Sequence, residues 1–141
     1  MPDFSRRRFL ETTLATAVLG VRPGRAFARQ GQVRTIAGTG VAGYESEGSR
    51  GLPGSRTPVD NPYGVVVGPD GALYFCEVDT GRTRRLDLRS GRLTTVAGTG
   101  EKAYAGDGGT ALDASFSAPH EIRFDREGSL FVVERDRKSV V

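Results

Sequence analysis

The sequence predicts an all-β protein built from four-stranded antiparallel, up-and-down sheets. Three observations carry that prediction. First, Thr35-Ile36-Ala37-Gly38-Thr39-Gly40 returns sixty positions later as Thr95-Val96-Ala97-Gly98-Thr99-Gly100, with Tyr44 and Tyr104 following at the same offset. Second, short β-branched or aromatic runs alternate with Gly, Pro and Asp turns after residue 28, and none has a long helical period. Third, glycine reaches 20 of 141 residues while tryptophan is absent.

Residues 1–28 read as an address rather than as structure. Ser5-Arg6-Arg7-Arg8-Phe9-Leu10 is a basic cluster ahead of a short apolar stretch, Thr12 to Val21. Pro23, Gly24 and Ala26-Phe27-Ala28 follow as a small-x-small cleavage pattern. Arg6, Arg7, Phe9 and Leu10 resemble a bacterial twin-arginine signal, with Glu11 where that signal usually carries lysine. The resemblance implies export to the periplasm or beyond, cleavage after Ala28, and membrane contact only through the signal.

The mature chain, residues 29–141, is then read in order. Gln32 to Ala37 is expected to be a short outer strand. Residues 38–61 are rich in Gly, Ser and Pro and read as a loop, long enough to require a reason. Asn61-Pro62-Tyr63-Gly64 is a turn, and Val65-Val66-Val67 a strand apolar on both faces. Gly68-Pro69-Asp70-Gly71 suits a type I turn. Ala72 to Val78 is the second strand, also apolar on both faces. Arg82 to Leu88 is a third, more polar and therefore expected nearer an edge. Arg92 to Ala97 is the fourth. Burial of both faces of the first two strands calls for sheets on either side.

The unit then restarts. Ala118-Pro119-His120-Glu121 stands for Asn61-Pro62-Tyr63-Gly64, and Ile122-Arg123-Phe124 for the three valines. Leu130-Phe131-Val132-Val133-Glu134 stands for Leu73-Tyr74-Phe75-Cys76-Glu77. The offset is sixty up to the tyrosines and fifty-seven afterwards, so the second loop is three residues shorter. Length varies in the loop and not in the strands, as a repeat array behaves.

A four-stranded unit repeating about every sixty residues is the plan of a β-propeller blade. Asn61-Pro62-x-Gly64-Val65, Pro69-Asp70-Gly71-x-Leu73-Tyr74, and the stretch from Val96-Ala97-Gly98-Thr99-Gly100 to Gly106-Asp107-Gly108-Gly109 resemble NHL-repeat propellers of the bacterial extended-blade type. The Asn-His pair that names those repeats is replaced by Thr80-Gly81 and Arg137-Lys138. The resemblance implies an outer strand at 32–37, a complete blade at 61–97 and a partial blade at 118–141. A closed ring needs roughly four to eight blades. The expectation is therefore an incomplete ring of about two blades, a truncated chain whose natural partners are the missing blades.

In such a blade the turn into the first strand and the turn after the second open on one face. That places Tyr63, Glu77, Asp79, His120, Glu121 and Glu134 together as ligand-face candidates. His120 with Glu77, Glu121 and Glu134 is a chemically reasonable donor set for Ca²⁺ or Zn²⁺, or a source of a general base. Equally, these residues can cap turns and pair with Arg82, Arg123 or Arg135. Ala105-Gly106-Asp107-Gly108-Gly109 lacks the acidic alternation of a calcium loop and the Lys-Ser/Thr of a phosphate loop, and reads as turn chemistry. No nucleophile–base–acid arrangement and no dinucleotide fingerprint is present.

Charge and cysteine content narrow the classes further. Five of the 20 basic and two of the 17 acidic residues fall within the first 28, which leaves the rest of the chain balanced. The mature part thus has no basic field for nucleic acid. Cys76 is the only cysteine and lies in an apolar run, so it reads as a buried, inert thiol. The expected function is an exported, non-catalytic scaffold that binds a protein or small-molecule ligand. The alternatives are a metal-dependent hydrolase or lyase, resembling the lactonase and amidoglycolate-lyase propellers, or a fragment without independent function.

Overall fold

The structure, a computed structural model, describes residue 31 and residues 33–135. The signal-type segment 1–28, Gln32 and the Arg137-Lys138 pair lie outside the described residues. The chain divides into Met1–Val33 and Arg34–Val141, and the architecture below belongs to the second unit.

The described residues are all-β. β1 (Leu52–Pro53), β2 (Pro62–Val67), β3 (Leu73–Glu77), β4 (Arg82–Leu86) and β5 (Arg92–Ala97) form one antiparallel sheet in the order β1-β5-β4-β3-β2. β6 (Pro119–Phe124) and β7 (Leu130–Glu134) form a separate antiparallel hairpin. The expected four-strand meander is therefore present as β2 to β5. Its turns explain its register. The Gly71 N–H donates to the Gly68 carbonyl at 2.9 Å, and Asp70 accepts from the Ala72 N–H, the Tyr74 hydroxyl and Arg85. Asp87 caps the β4–β5 turn by accepting from the Arg89 and Ser90 N–H groups, both at 2.9 Å.

The second repeat uses the same bonds at equivalent positions. Gly38 donates to the Gly54 carbonyl at 3.0 Å, and Gly98 to the Ala111 carbonyl at 2.9 Å. Val78 donates to Asn61, and Arg135 to Ala118. Gly68 donates to Ala72, and Asp125 to Ser129. The glycines of the two Thr-x-Ala-Gly-Thr-Gly marks share one left-handed conformation: φ is 88° and 81° at Gly38 and Gly40, 95° and 90° at Gly98 and Gly100. Both marks therefore require glycine for the same reason.

Two apolar clusters hold the unit together. Cys76 and Ala97 of the sheet pack with Phe116 and with Ile122 and Val132 of the hairpin, while Val66, Tyr74, Ala114 and Leu130 close around them. The Tyr74 and Phe124 rings meet edge to face, 4.9 Å between centroids. On the other side of the sheet Phe75, Leu86 and Leu93 pack beneath Ala37, Val59 and Leu73. Each fully buried aliphatic side chain of this kind contributes about 1.5–3 kcal/mol relative to exposure.

Three sequence expectations are corrected here. Residues 33–37 form no strand. An extended segment becomes a strand only where another strand completes its ladder, and no described residue does so. β2 is not buried on both faces: Val66 packs inward, but Val65 and Val67 are exposed because no sheet lies against their side among the described residues. β4 is not an edge strand. It lies between β3 and β5, and Thr83, Arg84 and Leu86 are fully or nearly fully buried. The long loop also gains its reason. It carries β1, which pairs with β5, and it delivers Tyr44 and Glu47 onto β4.

Candidate functional site

Tyr63 and His120 occupy equivalent positions at the starts of β2 and β6. Their rings stack at 4.2 Å between centroids, with 33° between planes. The backbone enforces this approach. Gly64 has φ +57°, and a Cβ built on it would lie 2.9 Å from both the Glu121 Cα and the His120 carbonyl oxygen. Only a residue without a side chain lets the two strands come so close. A register irregularity between Tyr63 and Val66 accompanies it in β2, and another lies between Pro119 and Glu121 in β6.

Around the stacked pair the polar groups face solvent. Glu121 pairs with Arg123. Asn61, at φ 45°, donates its side-chain amide to Asp79 at 2.9 Å, and Lys102 stands 3.8 Å from Asp79. These pairs are exposed and stabilise little, so they remain free to exchange partners with a ligand.

Glu77 and Glu134 behave differently. Both are buried, and both turn inward to hold the loop that enters their own repeat. Glu77 accepts from the Asp60 N–H at 3.1 Å; Glu134 accepts from the Ser117 and Ala118 N–H groups. The second Glu77 oxygen also accepts from the Thr80 hydroxyl and from Arg84. Burial pushes the Glu77 carboxyl up, while Arg84, the Asp60 N–H and Thr80 pull against that rise. Among the described residues the second oxygen of Glu134 has no hydrogen-bond partner. The expected convergence of Glu77, Glu121, Glu134 and His120 is therefore not formed. Glu77 and Glu134 are committed to backbone amides in the interior. Among the described residues no three His, Cys, Asp or Glu side chains gather at metal-ligand spacing.

The sequence reading missed the ion network at the centre of the sheet. Arg84, buried completely, lies 3.1 Å from Glu77 and 2.9 Å from Glu47. Glu47 also accepts from the Thr95 N–H. Beside it Arg82 lies over the Tyr44 ring, 3.7 Å from the centroid. One sequence signal pointed there: an acidic residue stands three positions after each tyrosine, Glu47 after Tyr44 and Asp107 after Tyr104. An apolar recess of about 330 Å³, lined by residues including Tyr74, Phe116, Phe124 and Val132, opens between sheet and hairpin. It provides contact surface and no catalytic group. Cys76 is wholly buried, and burial pushes its thiol up to about 12, as an inert thiol requires.

No family model matches the chain. Over 87 residues it is 26% identical to Protein SUPPRESSOR OF QUENCHING 1, chloroplastic, of Arabidopsis thaliana, a match covering 62% of this chain and 8% of that protein. Among solved structures it is similar to a structural genomics protein of unknown function from Bacteroides thetaiotaomicron. The TM-score there is 0.56 at 30% identity, over 62% of this chain and 22% of the other. The chain thus spans less than a quarter of the length of either protein.

Proposed function

We propose that this chain is part of an exported, NHL-type β-propeller that works as a non-catalytic binding scaffold, with Tyr63 and His120 at the centre of its ligand face. The single observation behind the binding role is the contact of these two rings, Tyr63 exposed and His120 half-buried, taken from equivalent positions of successive repeats. A propeller brings the first strands of its blades together around an axis. The close approach of β2 and β6 at Gly64 and Glu121 supports that arrangement. Aromatic rings ringed by exchangeable ion pairs suit a planar or amphipathic group, on a protein or a small molecule. Export rests on Arg6, Arg7, Phe9, Leu10, Ala26 and Ala28.

Peptide and glycan arrays probed with the protein test the scaffold reading. Binding that is lost in Tyr63→Ala and His120→Ala, and kept in Arg89→Ala, supports it. If no bound probe depends on Tyr63 or His120, the reading fails. The metal-dependent hydrolase or lyase remains the competing class, and it would need Glu77 and Glu134 to leave their backbone partners. Calorimetric titration with Ca²⁺ and with Zn²⁺ separates the two, because stoichiometric binding abolished by His120→Ala removes the plain scaffold. Export is tested by fusing residues 1–28 to a folded reporter. Translocation lost on replacing Arg6 and Arg7 by lysine supports the twin-arginine route.

A further inference from the structure

We propose that Glu77 and Glu134 are positioning residues for the ligand face: two buried carboxylate clamps, joined through one shared turn, set where Tyr63 and His120 stand relative to each other. The use of that spacing rests on the reading of the two rings as the ligand face. The clamps themselves are a property of the folded chain without ligand.

Each first strand opens on a proline. Pro62 faces Glu77 and Pro119 faces Glu134 in register. A proline carries no N–H, so the strand cannot be anchored to the ladder by a donor at that point. The glutamate opposite supplies an anchor from its side chain instead. Glu77 accepts from the Asp60 N–H and Glu134 from the Ser117 N–H, in each case 17 residues before the glutamate and just ahead of the ring. The backbone closes each clamp in the same way: Val78 donates to the Asn61 carbonyl, and Arg135 to the Ala118 carbonyl. Bonds to a carboxylate are charge-assisted, and the two glutamates are only 0% and 2% exposed, so water competes poorly for either clamp.

The clamps are joined. The second Glu77 oxygen accepts from the Thr80 hydroxyl at 3.0 Å, so one carboxylate ties the 78–81 turn to the entry of β2. Asn61 and Asp79 join the same two segments at 2.9 Å. That turn lies in turn against the entry of β6. Gly81 has φ +57°, and a Cβ on it would lie 2.7 Å from the Phe116 carbonyl oxygen. Phe116 precedes Ser117, which Glu134 holds. A continuous line of contacts therefore runs from the Tyr63 segment through Glu77, Thr80 and Gly81 to the His120 segment. Gly64 sets how closely the two strands approach, whereas the clamps fix the segments from which the rings project.

His120 is the only histidine of the chain, so its imidazole gives one readable set of NMR signals in the ligand-free 141-residue protein. Tyr63→Leu gives the same signals without the neighbouring ring current. Glu77→Asp and Glu134→Asp keep the charge and withdraw the carboxylate. Each is expected to weaken the nuclear Overhauser contact between the rings and to move the His120 signals towards their Tyr63→Leu positions. Glu134→Gln keeps an acceptor for the Ser117 N–H and should retain the wild-type contact. Leu93→Ala, which opens the other apolar cluster, should lower stability and leave the rings as they are. Wild-type ring signals in either folded Asp variant overturn the proposal. So does an equal change in Leu93→Ala, which would make the ring contact a matter of general loosening, or loss of the contact in Glu134→Gln. Where an Asp variant does not fold, hydrogen exchange of the wild type decides. Asp60 and Ser117 amides that exchange more slowly than the exposed 125–128 turn support the clamps, and amides that exchange as freely as that turn overturn them. Because no ligand is used, failure of every probe to bind at Tyr63 and His120 sinks the ligand reading alone, and unchanged rings sink the clamps alone.

Discussion

Gly64 and Glu121 stand at the same position of two successive repeats and touch backbone to backbone: a Cβ on Gly64 would lie 2.9 Å from the Glu121 Cα. This contact brings β2 against β6, stacks Tyr63 on His120, and fixes the angle between sheet and hairpin. It makes one glycine the hinge point of the inter-repeat packing.

Gly64→Ala is accordingly expected to destabilise the fold by about 2–4 kcal/mol, combining a left-handed backbone with an overpacked contact. Gly71 is its control. It has φ +75°, and a Cβ there would meet nothing within 4 Å, so Gly71→Ala should lose only about 1 kcal/mol. Urea unfolding of both variants checks the difference. Equal losses would remove the close-contact argument.

The Arg84 network provides the second prediction. Arg84→Ala strands the buried Glu77 carboxylate and is expected to cost about 3–5 kcal/mol. Replacing Arg84 by Met, Glu77 by Gln and Glu47 by Gln together should recover part of that loss, since no buried charge is then left alone. A triple variant no more stable than Arg84→Ala would show that charge burial is not the cause.

Glu77 and Glu134 make the same backbone contact, yet among the described residues only Glu77 has donors at its second oxygen. Glu77→Gln should therefore destabilise more than Glu134→Gln, which disturbs fewer hydrogen bonds among the described residues. Chemical denaturation of the two variants side by side measures the ordering, and a reversed order contradicts it.

Cys76 supplies a pH prediction. Its thiol is pushed from 9.0 to about 12 in the folded state by burial. A folded pKa raised above the unfolded one means that the unfolded thiol ionises first. The contribution is complete below pH 9 and is lost as pH climbs from 9 towards 12. Cys76→Ser should flatten the alkaline limb of the stability curve. At neutral pH the thiol should react with a disulfide reagent only as fast as the protein opens, and a fast, denaturant-independent reaction would contradict its burial.

Elements with local causes were legible in the chain itself. β3, β5 and β7 fall where the apolar runs stand, and the turns at 68–71 and 87–91 follow from Gly, Pro and Asp at fixed places. The repeat was legible because the same short pattern needs the same left-handed glycines twice. What those elements face came only from the fold. Arg82 to Leu88 reads as a polar strand near an edge until Glu77 and Glu47, 7 and 37 residues away, neutralise Arg84 in the middle of the sheet. Glu77 and Glu134 read equally as ligands or as turn caps, and the fold gives them the backbone N–H groups of Asp60 and Ser117. The three valines of β2 look alike in sequence, yet only Val66 is covered. A side chain's polarity is written locally, whereas its solvation depends on neighbours that the fold brings from elsewhere in the chain.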